Sequence, residues 1–395
     1  MPGGPASARR WLFGLALAFA CGPRDTGPCF SRDWVHPIPD ARRFCGVGVL
    51  PEGEFGVYVD GPDGPSLQVF GPDAALLADR PLPALGGFGT CLSIATDPAG
   101  GWWLTAMPPS LNGDARPASL HRLPHRDATF TSTPIAVDDD AFLSTVVAVP
   151  GGVMVGGSHA PPGEPARVSL AITFDEDLTE EVRWDSNDLG HIVRLERLDG
   201  APIALAQEPS IDYGDAFILR FANPGEPPTW IREVGTLGDA HDAIQDLATT
   251  DDSVFLFKTS REAVPGSEPF VPGDPSTLPP QQSRSVVEAR DSNGDVLWTH
   301  EVIDDKVDVA SIAATEETTL AWRGAITFPP DPGGLELSAF EVLNADGECT
   351  CAFESPILGR IVDIEALHGE PAGSFIVTSE LDQTFKLSRV RVLQQ

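Results

Sequence analysis

Positive charge is what this chain has least of. Its 395 residues hold 26 Lys and Arg against 58 Asp and Glu, a net charge of −32. Lysine is nearly absent (Lys258, Lys306 and Lys386) while arginine is common, which reads as genome composition rather than chemistry. Such a surface repels nucleic acid and anionic lipid, so neither is an expected partner. Long apolar runs are also missing: after residue 20 no segment is apolar enough to cross a membrane as a helix. No long stretch carries the 3.6-residue periodicity of an amphipathic helix. The common catalytic signatures are absent too. No Ser or Cys stands in a nucleophile elbow, and no His-Glu-x-x-His occurs. Gly151-Gly152 and Gly86-Gly-Phe-Gly89 lie in turns with no helix after them, so they are not phosphate cradles, and no cofactor is expected.

Glycine (39) and proline (38) are abundant, and they sit between short apolar runs. That is the composition of an all-β chain with many tight turns. The N-terminus reads as a targeting segment over residues 1–20, with Arg9 and Arg10 ahead of the short apolar stretch Trp11 to Ala20. Two readings compete at one bond. Ala18-Phe-Ala20 fits ordinary signal peptidase, whereas Leu17-Ala-Phe-Ala-Cys21 resembles a bacterial lipobox that would make Cys21 the lipidated first residue. Either cleavage removes Arg9 and Arg10 and leaves 24 basic against 58 acidic residues, a net charge of −34. The expected location is the cell envelope, lipid-anchored, with free secretion as the alternative. Contact with membrane is then expected only through the lipid. Six cysteines suit an oxidising compartment. Cys29 with Cys45 is the most natural local bridge, and Cys349-Thr-Cys351 has poor geometry for bonding to itself.

A strand-pair pattern recurs seven times: a small or polar residue, an apolar run, a Gly/Asp/Pro turn and a second apolar run. The copies start near Gly46, Ser93, Thr145, Arg194, Asp246, Ser311 and Asp363, at spacings of 47, 52, 49, 52, 65 and 52 residues. A second element follows each pair, as in Val286-Val-Glu-Ala-Arg-Asp-Ser-Asn-Gly-Asp-Val-Leu-Trp298: a strand, an Asx-type turn, and a strand often closed by Trp. Four strands per unit is the content of a propeller blade, which cannot bury its two faces alone. The expected fold is therefore all-β, a seven-bladed β-propeller over residues 34–395 behind a short tether at 21–33. The 65-residue spacing comes from a Pro-rich loop insertion at 262–284.

The run from Gly214 to Gly235, together with Gly151-Gly-Val-Met-Val-Gly-Gly-Ser158, resembles the propeller repeats of exported bacterial proteins, the SBBP-type and delta-60 repeats nearest. Asp291-Ser-Asn-Gly-Asp-Val-Leu-Trp298 is also similar to the repeats of quinoprotein propellers and of propeller lipoproteins in outer-membrane assembly. The resemblance implies the fold and says little about activity. The ends support it separately. The last unit stops at a third strand, Phe385 to Leu393, and Trp34-Val-His-Pro-Ile38 resembles an orphaned fourth strand. The N-terminal segment is expected to close the last blade, pairing Trp34 with the region of Val390 and removing an open sheet edge.

Channel-mouth candidates, three residues before each unit start, are Arg43, Thr90, Phe142, His191, Ala243, Asp308 and Arg360. The set mixes chemical types, with no convergent carboxylates and no metal-ligand cluster. Arg43, His191, Asp308 and Arg360 remain possible rim contacts, with Phe270 on the long loop. Asp138-Asp-Asp140 and Asp239-Ala-His-Asp242 lack calcium-loop spacing and read as solvated turns. Trp34, Trp184, Trp230 and Trp298 recur at one repeat position and read as blade packing. The expected role is a non-catalytic binding or scaffold module for a protein or polysaccharide. The alternative is a propeller hydrolase or lyase acting on an extracellular polymer. Carboxylates clustered in a funnel would favour that enzyme, and a broad apolar rim patch would favour the binder.

Overall fold

A computed structural model describes residues 30–393 apart from 39–42, 83–89, 98, 108–117, 136–140, 160–167, 188, 208–215, 224–225, 235–240, 264–280, 303–308, 325–338, 355–359, 368–372 and 382–383. Cys21, Cys29, Phe270, Asp308, Asp138-Asp-Asp140 and Asp239 therefore lie outside the described residues.

Among the described residues, twenty-eight strands form seven antiparallel sheets of four. In blades 1 to 6 the strands follow chain order from the innermost outward. The innermost strands are Arg43–Val49, Thr90–Thr96, Phe142–Val149, His191–Leu198, His241–Thr249 and Val309–Ala314, and Arg360–Ala366 begins blade 7. Blade 7 takes its fourth strand from the other end of the chain. Phe30–Ile38 pairs with Thr384–Val392, with Arg32 opposite Val390 and Trp34 opposite Arg389. This is the closure expected from the two incomplete ends. It is tied further by Asp33, whose carboxylate meets Arg391 at 2.7 Å.

Each blade buries both faces against its neighbours. Seven apolar clusters fill the seven gaps; the one between blades 2 and 3, for example, joins Trp103 and Leu120 to Val146 and Val155. The recurrent Trp of the fourth strand docks on the next blade's outer turn. Trp298 donates its indole N–H to Ala345 O at 2.8 Å, and Trp34 donates to Pro72 O at 3.2 Å. Trp184 meets Phe221 edge-on at 5.4 Å. The long insertion is shorter than the sequence suggested. The ladder of blade 5 continues to Ala263 opposite Gln281, so Glu262, Ala263 and Gln281 to Arg284 are strand. Those positions hold no proline, and each can keep its ladder hydrogen bond.

Trp298 makes one turn residue irreplaceable. Gly347 has φ +77°, and a Cβ there would sit 2.4 Å from the Trp298 ring, whereas Gly200 has φ +73° and faces open space. Gly347→Ala is expected to combine left-handed strain with overpacking and cost about 2–4 kcal/mol, against about 1 kcal/mol for Gly200→Ala. Urea denaturation midpoints check this, and equal losses would mean that Trp298 does not seat on the turn.

Candidate functional site

The residues that open each repeat form a ring around the central axis. In five blades the position follows a break in register, between Cys91 and Ser93, Leu143 and Thr145, Ile192 and Arg194, Ile244 and Asp246, and Ile361 and Asp363. Such an irregularity re-aims a side chain out of the strand's alternation. At four blade boundaries the re-aimed oxygen accepts a backbone N–H from the next blade. Ser93 Oγ takes Val146 N at 3.3 Å, and Thr145 Oγ1 takes Leu195 N at 2.9 Å. Asp246 Oδ2 takes Ile312 N at 3.0 Å, and Asp363 Oδ2 takes Val47 N at 3.0 Å. The last joins blade 7 to blade 1. These small polar openers are thus the seams between blades.

Two residues further along each strand, the channel is lined by Gly48, Ala95, Val147, Ala248 and Ala313, with Glu196 and Glu365 on blades 4 and 7. The cavity is about 520 Å³. It runs from the level of Arg194 to the face carrying the first hairpin of each blade, where Gly200, Thr250, Asp251, Thr315, Glu316 and Glu317 form the mouth.

Arg194 organises the inner end. Its Nε lies 2.9 Å from Glu196 Oε1 and 3.8 Å from Asp246 Oδ1, and its Nη2 lies 3.5 Å from Glu365 Oε1. One guanidinium on blade 4 thereby reaches a carboxylate on blade 5 and another on blade 7. Among the described side chains, four carboxylates share a single cation. About a third of the Arg194 and Glu365 side chains is accessible, but only to a narrow channel walled on every side. Burial consequently dominates their titration. It pushes Glu365 well above the usual carboxylate range, with Asp363, Glu196 and Asp246 adding to the rise and Arg194 opposing it. Burial likewise raises Glu196, and lifts Asp363 to about 6 despite Arg194 and two backbone amides. Burial opposes the charge on Arg194, yet Asp246, Glu196, Glu365 and Asp363 outweigh it and hold the guanidinium protonated.

The channel-mouth candidates sit elsewhere. Arg43, Thr90, Phe142, His191 and Arg360 are the first residues of their inner strands, on the opposite face from the cavity mouth, and Ala243 is third in its strand. His191 shares a 2.8 Å hydrogen bond with Ser158 Oγ and packs against Phe142 at 5.3 Å. Only the backbone of Arg43 and Arg360 is described. The convergent carboxylates lie three and five residues beyond the counted positions. The unit starts Arg194, Asp246 and Asp363 already carried the signal.

Other polar clusters among the described residues are built into blade walls. His121, held between Ser119 Oγ at 3.0 Å and Ser132 Oγ at 2.8 Å, is lowered to about 4 by burial and stays neutral. Lys258, Glu288 and Arg290 form a buried network with both ion pairs at 2.6 Å. His300, Glu341 and Cys349 come together at metal-ligand spacing, but Cys349 is disulfide-bonded and has no thiolate to offer. The channel carboxylates do not bring three oxygens within 4.8 Å of one another, so they form no preassembled metal cage. Cys351 is disulfide-bonded as well.

No protein-family model matches this chain, and no curated protein matches it in sequence. Solved structures do. Hydrazine synthase of Kuenenia stuttgartiensis is 10% identical with a TM-score of 0.56, covering 90% of this chain and 97% of that one. Virginiamycin B lyase of Staphylococcus aureus, in a catalytically inactive form with quinupristin, is 11% identical with a TM-score of 0.54, covering 92% and 100%. YCF48 bound to D1 peptide is 11% identical with a TM-score of 0.53, covering 94% and 99%. The chain folds as a seven-bladed β-propeller. At these identities the likeness extends to the fold alone, and the propellers concerned span different activities.

Asp363 allows the seam and its charge to be separated. Its proton is held more tightly folded than unfolded, because its value rises from 3.8 to about 6. The stability it contributes is therefore full below pH 4 and is lost as pH rises through 6. Asp363→Asn keeps an oxygen for Val47 N–H and has no charge to bury. It should match the wild type near pH 4 and exceed it at pH 8. Asp363→Ala leaves that amide unpaired and should fall about 1–3 kcal/mol below the Asn variant at both pH values. Urea unfolding across pH 4–8 measures all three; an Asn variant with the wild-type profile would remove Asp363 from the pH dependence.

Proposed function

We propose that this propeller is a non-catalytic binding protein of the cell envelope, exported and held there through Cys21. Its working face carries the cavity mouth, and its ligand is a protein partner that seats a basic side chain in the channel. The observation that carries the reading is the charge imbalance among the described side chains of the cavity: four carboxylates around one guanidinium. Buried anions short of counter-charge favour an incoming cation. The small walls leave room for an unbranched stem, and Asp251, Glu316 and Glu317 at the mouth steer positive charge inward. The exposed large apolar residues, such as Leu76, Val182, Ile231 and Leu297, are spread over the outer strands of different blades, so no apolar patch competes as the contact surface among the described residues.

A lysine-rich peptide is expected to bind the full chain, more weakly as salt rises, and a glutamate-rich peptide is expected not to. Glu196→Gln and Glu365→Gln should each weaken binding about tenfold or more, the value of a charge-assisted hydrogen bond. Glu181→Gln on the outer strand Glu180–Ser186 should change nothing. Calorimetric titration measures these, and a double Glu196/Glu365 variant that binds as tightly as the wild type removes the channel from recognition.

One observation favours the hydrolase or lyase alternative. Burial and neighbouring carboxylates raise Glu365 and favour its protonated form, the direction that a general acid requires. Against it, Glu196 and Glu365 both engage Arg194, and Asp246 and Asp363 spend oxygens on backbone amides. Turnover of a polysaccharide that Glu365→Gln abolishes would replace the binding reading.

A further inference from the structure

We propose that the Arg194–Glu365 contact is a proton-operated cross-brace, which spans the central channel and lets go when Glu365 takes up a proton. The proposal is independent of the ligand reading, because it concerns the unliganded ring.

Blades 4 and 7 are not neighbours in the ring, and each packs against other blades. Arg194 nevertheless contacts Glu365 across the axis at 3.5 Å. Arg194 and Glu365 both line the cavity. Arg194 has two further partners on its own side, Glu196 at 2.9 Å and Asp246 at 3.8 Å. The cross-axis contact is the longer of the two made to glutamates, and losing it leaves the guanidinium hydrogen-bonded. Arg194 can thus withdraw towards blades 4 and 5 without stranding its charge.

The surroundings of Glu365 favour its neutral form as soon as protons are available. On its own strand Asp363 stands two residues away. Blade 4 presents Arg194 and Glu196, and blade 5 presents Asp246. At the same levels blade 1 presents Gly46 and Gly48, blade 2 Ser93 and Ala95, blade 3 Thr145 and Val147, and blade 6 Ser311 and Ala313, none of them charged. Three carboxylates and one cation therefore act on Glu365, and burial adds to the carboxylates' effect. Asp363 is lifted to about 6 in the same setting. Glu365 holds the shared cation at 3.5 Å, against 2.9 Å for Glu196, so its contact is the looser of the two glutamate contacts.

A double-mutant cycle tests the brace. Arg194→Gln, Glu365→Gln and the double variant are unfolded in urea at pH 8 and at pH 5. The expected coupling between the two sites is about fivefold or more in the unfolding equilibrium constant at pH 8, and none at pH 5. If Arg194→Gln does not fold, Arg194→Lys takes its place in the cycle. Coupling that is equal at the two pH values, or absent at pH 8, overturns the proposal.

Discussion

A ring of seven sheets holds together only if its first and last blades are joined, and here that constraint falls on one strand. Phe30–Ile38 completes the sheet begun by Arg360–Ala366, so the two ends of the described chain lie in a single ladder. Everything nearer the axis depends on this closure. The inner strands can approach closely only when no blade can swing outward, and close approach is what makes their small residues line a narrow channel. The seam hydrogen bond from Val47 N to Asp363 repeats the same closure at the axis, some 316 residues apart in sequence. Backbone pairing at the rim and a side-chain acceptor at the centre thus fasten the same two blades at opposite radii.

The seam acceptors account for the channel's electrostatics as well as its shape. Serine and threonine at Ser93 and Thr145 bind the neighbouring amide without carrying charge. Aspartate at 246 and 363 does the same task with a stronger, charge-assisted acceptor, and brings a buried anion to the axis in doing so. Two such anions, with Glu196 and Glu365 one pleat further along, create a field that the single Arg194 only partly balances. The raised values of Asp363, Glu196 and Glu365 are the physical expression of that imbalance.

The repeat made the blades legible because turn chemistry and tryptophan placement are local requirements. The turn before Trp298 needs its glycine and Asx residues whatever the blade contributes to function, and Trp298 needs the next blade's turn. The closing strand was legible for the same reason, since Trp34 fills the fourth-strand position. The channel was harder to read, and the cause lies in the inner strands. Counting back from Ser93, Thr145, Arg194, Asp246 and Asp363 crosses a register irregularity in every case. Each irregularity breaks the two-residue alternation on which such counting rests. The count therefore landed on His191 and its equivalents at the strand-start face. The axial charged groups stand in the unit starts themselves and in Glu196 and Glu365 beyond them.

Arg194 shows how one substitution in the repeat can generate a site. Its position in blade 4 is that of a seam acceptor, and arginine has no lone pair to accept with. The amide that such an acceptor would take in blade 5, Leu247 N–H, is bound instead by Asp246 Oδ1 at 2.9 Å, within its own blade. The boundary is tied elsewhere by Thr249 Oγ1 donating to Arg197 O at 2.9 Å. Relieved of the seam, the guanidinium turns to the axis, where Asp246, Asp363 and the two glutamates already concentrate negative charge. An uncharged residue at 194 would leave those four groups to repel one another in a confined space, so the cation is what allows them to coexist. The same cation reaches Glu365 across the axis and spans the channel. A departure from the repeat's structural rule, set among residues that obey it, is thus what turns a packed propeller axis into a pocket.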